Sequence, residues 1–180
     1  MKTFLVALTL CICSATVAPL ATHAQTAPAG IWEGYDGEWL HVSQQLIDLA
    51  KAIPADKYSW RPGPGVRSVS EVFMHIATGN YWLLSQTGAI EYPKALEPDD
   101  IDQKITSKAE VIDWLTKSLE AVKTARAKET PAALATKVHI ADRDAPRDGI
   151  YLRILVHANE HMGQLVAYSR MNGIVPPWSK

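Results

Sequence analysis

The spacing of apolar residues constrains this chain more than any other feature. Trp32, Tyr35, Trp39, Val42, Leu46, Leu49 and Ile53 follow one another at alternating steps of three and four. Side chains at that spacing line one side of an α-helix, so the segment predicts an amphipathic helix that buries its stripe against other helices. Pro54 ends it, because proline has no N–H to continue the ladder. Three more segments repeat the pattern. Ser68-Val69-Ser70-Glu71 reads as a capping box that opens a helix carrying Val72, His75, Gly79, Trp82 and Leu83 on one side and fading at Gly88. Ser107-Lys108-Ala109-Glu110 opens a third, with Val111, Ile112, Leu115, Leu119 and Val122 as its apolar face. The fourth starts near Asp148 and ends at Gly173, with Pro176-Pro177 barring continuation and Ile150, Ile154, His157, His161, Leu165 and Tyr168 on one face.

The connections are of two kinds. Tyr58 to Arg67, with Pro62-Gly63-Pro64-Gly65, is too rich in turn residues to be helical. Tyr92 to Thr106 reads as a loop carrying the acidic residues Glu97, Asp99, Asp100 and Asp102, a charged surface to which solvation alone is assigned. Lys137 to Ile140 is the one weak strand candidate. Four amphipathic helices joined by short and long connections predict an all-α, four-helix-bundle fold.

The N-terminal residues stand outside this pattern. Lys2 precedes the almost wholly apolar Phe4 to Ile12, and small and polar residues follow as far as Thr22-His23-Ala24. Those are the three parts of a secretory signal peptide, with cleavage expected after Ala24. The apolar stretch is broken by Ser14, Thr16 and Pro19, short of the roughly 20 residues a transmembrane helix needs. The expected layout is a signal peptide at 1–24 and one exported, periplasmic domain at 25–180 that does not sit in the membrane. Removing 1–24 takes away Lys2 and no acid, which moves the formal net charge from -1 to -2. With no basic excess and no basic-aromatic stripe, nucleic acid is excluded as an expected partner. Cys11 and Cys13 both fall in the signal peptide, so the mature domain has no disulfide and no thiolate ligand.

The chemistry resides in the histidines. His157 and His161 are four apart on the fourth helix, which stacks them on one face with Cβ atoms about 6 Å apart, close enough to share one ion. That face is the apolar one, so both imidazoles point to the core, where each needs a partner. A lone inward histidine is more often a satisfied core residue than a ligand; two on one face, and a third, His75, facing the core from another helix, favour a metal. Gly79, one turn beyond His75, removes side-chain bulk beside it. Three imidazoles leave positions open for water or substrate, the pattern of a reactive ion, and suit Zn, Ni, Fe and Cu alike.

Rival motifs lack a ligand each. His157-Ala158-Asn159-Glu160-His161 matches H-x-x-E-H of inverted zinc proteases, but no acid follows Glu160. Glu38-Trp39-Leu40-His41 matches one Glu-x-x-His motif of di-iron bundles, which need two such motifs and two further glutamates. His41 flanks the first apolar stripe and His139 lies in the loop before the last helix, where it is expected to be solvated.

Taken together, Tyr58-Ser-Trp-Arg-Pro, Arg67-Ser-Val-Ser-Glu-Val-Phe-Met-His75-Ile-Ala, His157-Ala-Asn-Glu-His161-Met-Gly-Gln-Leu and Arg170-Met-Asn-Gly173 before Pro176-Pro177 resemble the DinB/YfiT-like family. The resemblance spans Trp32 to Trp178. It implies a four-helix bundle, a homodimer, and a Zn, Ni, Fe or Mn ion held by three histidines, with His75, His157 and His161 matching that triad. It also brings thiol-dependent transferases and isomerases into view, although an exported protein meets few low-molecular-weight thiols.

Three functions follow: a metal-dependent enzyme of transferase or hydrolase type acting on a small molecule, a non-catalytic metal- or small-molecule-binding protein, and a bundle whose histidines are only polar core. For the first, Glu160, Tyr81 and Gln164 are the candidates for proton transfer or substrate contact.

Overall fold

The computed structural model describes residues 32–179, so the signal-peptide reading lies outside the described residues. In chain order the elements are α1 (Tyr35–Ala52), α2 (Val69–Gln86), α3 (Ile101–Lys104), α4 (Lys108–Arg126), α5 (Pro131–Ala135), β1 (Lys137–Ile140), β2 (Arg143–Pro146) and α6 (Arg147–Met171). The four long helices form the bundle. α2 packs on α4 and α6, and α1 packs on the same two, so α1 and α2 face each other across the diagonal. No described helix is long and apolar enough to cross a membrane.

α1 starts three residues later than its stripe predicts. Gly34 takes a positive φ of 94° and breaks the helix there, and Trp32 stays outside it, 86% exposed, its N–H donating to Glu38 Oε1. From Trp39 onward the stripe behaves as expected: Trp39, Val42, Leu46, Leu49 and Ile53 are all buried. Full burial of a Leu or Ile side chain stabilises by about 1.5–3 kcal/mol. Trp39 also donates its indole N–H to the Leu119 carbonyl on α4. At the far end of α1 the Lys108 ammonium donates to the Lys51 and Ile53 carbonyls, which satisfies acceptors that a helix C-terminus leaves free.

α2 is the central helix and is buried around most of its circumference. Its capping box forms in full: the Glu71 N–H donates to Ser68 Oγ and the Ser68 N–H donates to Glu71 Oε2 at 2.8 Å. Arg61 from the turn-rich connection then pairs with Glu71 at 2.6 Å, fixing how the chain enters α2. Of the second predicted box only the Ser107 half forms among the described residues, with the Glu110 N–H at 3.4 Å. α6 runs 25 residues and, unlike α2, has no side-chain cap at its N-terminus. Beyond its end Gly173 takes φ 73°, the left-handed turn glycine allows.

The weak strand candidate is real, and its partner was not foreseen. β1 pairs antiparallel with β2, Lys137 opposite Pro146 and Ile140 opposite Arg143. His139 therefore lies on a strand, not in a loop, and its exposed ring is 2.9 Å from Asp144.

Candidate metal centre

His75 sits two turns into α2, while His157 and His161 sit mid-way along α6. Packing α2 against α6 brings all three imidazoles together. Ligand-capable nitrogens of the three lie within 4.8 Å of one another, the one His/Cys/Asp/Glu group of this kind among the described residues. The tightest approach is Nε2 of His157 to Nε2 of His75, 3.2 Å. Two ligands on one ion at about 2.0–2.1 Å would stand about 2.9–3.4 Å apart between octahedral and tetrahedral angles. His161 is further along the same cluster, with its ring centroid 4.6 Å from that of His157 and 4.7 Å from that of His75.

Both closest histidines are held neutral. Burial pushes the His75 imidazole down to about 4, with Arg67 and the other two histidines adding to the shift. Burial, then His161 and Arg153, does the same for His157, also to about 4. A neutral imidazole offers the lone pair that a metal needs, and at neutral pH protons do not compete for it.

Each α6 histidine is oriented differently. His157 is 8% exposed and its Nδ1 is buried without a hydrogen-bond partner. Packing sets its position: a Cβ on Gly79 would stand 2.5 Å from His157 Cε1 and 3.0 Å from Nδ1. Only glycine fits there, and the space it leaves, expected beside His75, is taken by the His157 ring of the facing helix. His161 is set by a hydrogen bond instead, its Nδ1 2.9 Å from Gln164 Oε1. The donor set, the neutral charge state and the 3.2 Å convergence all fit a single divalent ion.

The chain has a matching family. The family model described as the DinB superfamily matches residues 38–165. The chain belongs to the DinB superfamily. A DinB-like protein from Bacillus cereus superposes with a TM-score of 0.68 at 23% identity, covering 81% of this chain and 95% of that one. A DinB-like protein from Bacillus subtilis superposes with a TM-score of 0.62 at 16% identity, covering 81% of this chain and 98% of that one. At those identities the likeness establishes the fold. None of the curated proteins matches.

Within this DinB fold the other sequence candidates separate. Gln164 is at the cluster, through His161. Tyr81 is not: it turns toward α4, edge-on to Trp114, and lines a different cavity. Six residues beyond His75, it lies about 240° around the helix. Glu160 points outward in a two-point pair with Arg153 at 3.0 and 3.1 Å, whose hydrogen bonds hold its carboxyl below the usual range. His41 is exposed on α1 and joins no cluster.

A cavity of about 590 Å³ opens beside His75 and His157. Arg67, Trp82, Tyr92, Asp99, Asp102 and Arg153 stand on its wall. Trp82 was expected on the buried face of α2; it is 46% exposed and forms part of the rim. The acidic loop, read as a solvated surface, supplies the opposite wall, with Asp102 3.6 Å from Arg67. Sequence reasoning missed Arg153, although it sits one turn before His157 and was readable from that spacing. It could not reach Asp99 or Asp102, because loop placement is a tertiary event.

Proposed function

We propose that this DinB protein binds one divalent metal ion through His75, His157 and His161 and is a metal-dependent enzyme of transferase or hydrolase type acting on a small molecule. The observation that carries the reading is the 3.2 Å approach of two neutral imidazole nitrogens from different helices, His157 buried and His75 half-buried, with a third imidazole beside them. Three protein ligands leave coordination positions free, and a cavity of about 590 Å³ adjoins two of them, within the size range of small-molecule sites. A bound ion would supply Lewis acidity or lower the pKa of a bound water or thiol. The chain's own residues would orient the substrate: Arg67 offers N–H donors on the wall and Trp82 an apolar rim, while Arg153 is held by Glu160.

The same geometry limits the acid–base candidates. Glu160 is committed to Arg153 and Tyr81 is in another cavity, so neither is placed to move a proton at the ion. That favours a second reading, a non-catalytic metal or small-molecule carrier. The N-terminal segment with Lys2 and the apolar Phe4 to Ile12 supports work in the periplasm under either reading.

The test has two stages. Metal-free protein titrated with Zn, Ni, Fe and Mn should bind one equivalent of at least one of them. The loaded protein is then assayed on thiol-transfer and hydrolysis panels; turnover that disappears in His75→Ala supports the enzyme, and tight binding without turnover supports the carrier. No binding of any ion removes both.

A further inference from the structure

One histidine of the triad is tied to a polar chain that continues along α6. His161 Nδ1 is 2.9 Å from Gln164 Oε1, and Gln164 donates its amide N–H to the Tyr168 hydroxyl at 2.7 Å. The three residues are spaced three and four apart, so they lie one above another on a single face of the helix. Tyr168 is 5% exposed and meets Trp60 edge-on at 5.3 Å. Trp60 comes from the turn-rich connection between α1 and α2, whose backbone is hydrogen-bonded to the start of α2 through Val69 and Ser70. The far end of the chain is therefore anchored to the helix that carries His75.

A carbonyl oxygen can only accept. With Gln164 Oε1 facing it, Nδ1 of a neutral His161 must carry the hydrogen, and Nε2 is left with its lone pair. Turned over, the amide would present its NH₂ to Nδ1, force the hydrogen onto Nε2 and remove that lone pair. The orientation of one amide thus decides whether His161 can be a ligand through Nε2. His157 has no equivalent device, because its Nδ1 has no partner and its ring packs against Gly79.

We propose that Gln164 is a positioning residue that fixes the ligand tautomer of His161, and that Tyr168, braced by Trp60, holds the Gln164 side chain against it. This rests on the metal reading of the three histidines. A partner that orients a metal-bound histidine is typically worth 10–100-fold in metal affinity. Gln164→Leu removes the acceptor. Gln164→Glu keeps an acceptor and cannot present a donor while ionised. Tyr168→Phe keeps the packing on Trp60 and removes only the hydroxyl.

The experiment is a Zn²⁺ competition titration of the metal-free full-length protein and these three variants, with circular dichroism melts to confirm folding. It is paired with long-range ¹H–¹⁵N NMR of the metal-free proteins, which reads the histidine tautomers. The expected result is a loss of about 10–100-fold in Zn²⁺ affinity for Gln164→Leu, a smaller loss for Tyr168→Phe, and wild-type or tighter affinity for Gln164→Glu. His161 should carry its hydrogen on Nδ1 in wild type and in Gln164→Glu, and lose that preference in Gln164→Leu. Equal Zn²⁺ affinity and an unchanged tautomer in Gln164→Leu would overturn the proposal while leaving the metal site standing. A wild type that binds no Zn²⁺ sinks the metal reading for that ion, and the NMR result still decides the tautomer claim. An Nδ1 without its hydrogen in wild type overturns the proposal whatever the titration gives.

Discussion

α6 carries two buried polar clusters about ten residues, or ~15 Å, apart, and they differ in kind. Near its start, Arg126 stacks 5.1 Å from the Tyr35 ring and 5.4 Å from the Tyr151 ring. Glu129, only 6% exposed, accepts from Tyr151 at 3.2 Å and from Arg147 at 3.5 Å. Near its middle sit the three histidines. Both clusters contain buried polar atoms without a partner, but the groups around them differ. At the start these are the Tyr35 hydroxyl and the Nε–H groups of Arg126 and Arg147; the arginine groups are donors, which a cation cannot use. In the middle it is a single atom, Nδ1 of His157, while Nε2 of the same ring faces Nε2 of His75 at 3.2 Å, where a lone pair can be offered to a cation. Charges of both signs are already packed together in the first cluster, whereas the second brings three imidazoles together. The larger cavity, about 690 Å³, lies beside the charged cluster and contains none of the histidines. Donor chemistry, more than cavity size, is the ground on which the proposed site is placed at the histidines.

That comparison can be broken from either side. The largest effect is expected for His157→Ala, which removes the best-buried histidine of the proposed site: metal titration should show affinity lower by at least about 100-fold, with the helical fold intact. Glu129→Ala tests the other cluster. It leaves the Arg147 charge and the Tyr151 hydroxyl without their buried acceptor, and chemical denaturation should show a loss of about 3 kcal/mol, while metal stoichiometry stays as in wild type. If Glu129→Ala also released the metal, the two clusters would not be independent.

Gly79→Ala comes next. A methyl group 2.5 Å from His157 Cε1 must displace the ring; metal affinity should fall about tenfold or more, with a stability cost of about 1–3 kcal/mol from overpacking. A last test concerns pH. His75 and His157 titrate at about 4 in the fold and at about 6.5 when unfolded. The unfolded chain thus takes up protons first as pH falls, and the metal-free fold loses stability from about pH 6.5 down to about 4, below which the loss levels off. Thermal melts of metal-free wild type should drop across that window, and those of His75→Ala should drop less.

The bundle was legible because each long helix runs 18 residues or more, enough turns for a stripe to show. α3 and α5 are four and five residues long and offer no such record. The hairpin was half-legible: Val138 and Ile140 alternate with polar neighbours, but Arg-Asp-Ala-Pro carries no strand signal and pairs only because β1 is beside it. His157 and His161 were readable as a pair from their spacing on α6. Their meeting with His75 depends on how α2 packs on α6, which spacing within either helix cannot state; the family resemblance carried that step. Tyr81 was misplaced for a local reason, since distance along a helix says nothing until the angle around it is counted. The acidic loop was misread because its composition is that of a solvated surface, and only its fold back over α2 puts Asp102 on the cavity wall.

Elemental analysis of the full-length protein as purified, without added metal or chelator, tests the central claim most directly. One equivalent of a divalent transition metal per chain in wild type, lost in His157→Ala, is the predicted result. A wild type free of metal, or a His157→Ala variant that retains it in full, would contradict the account.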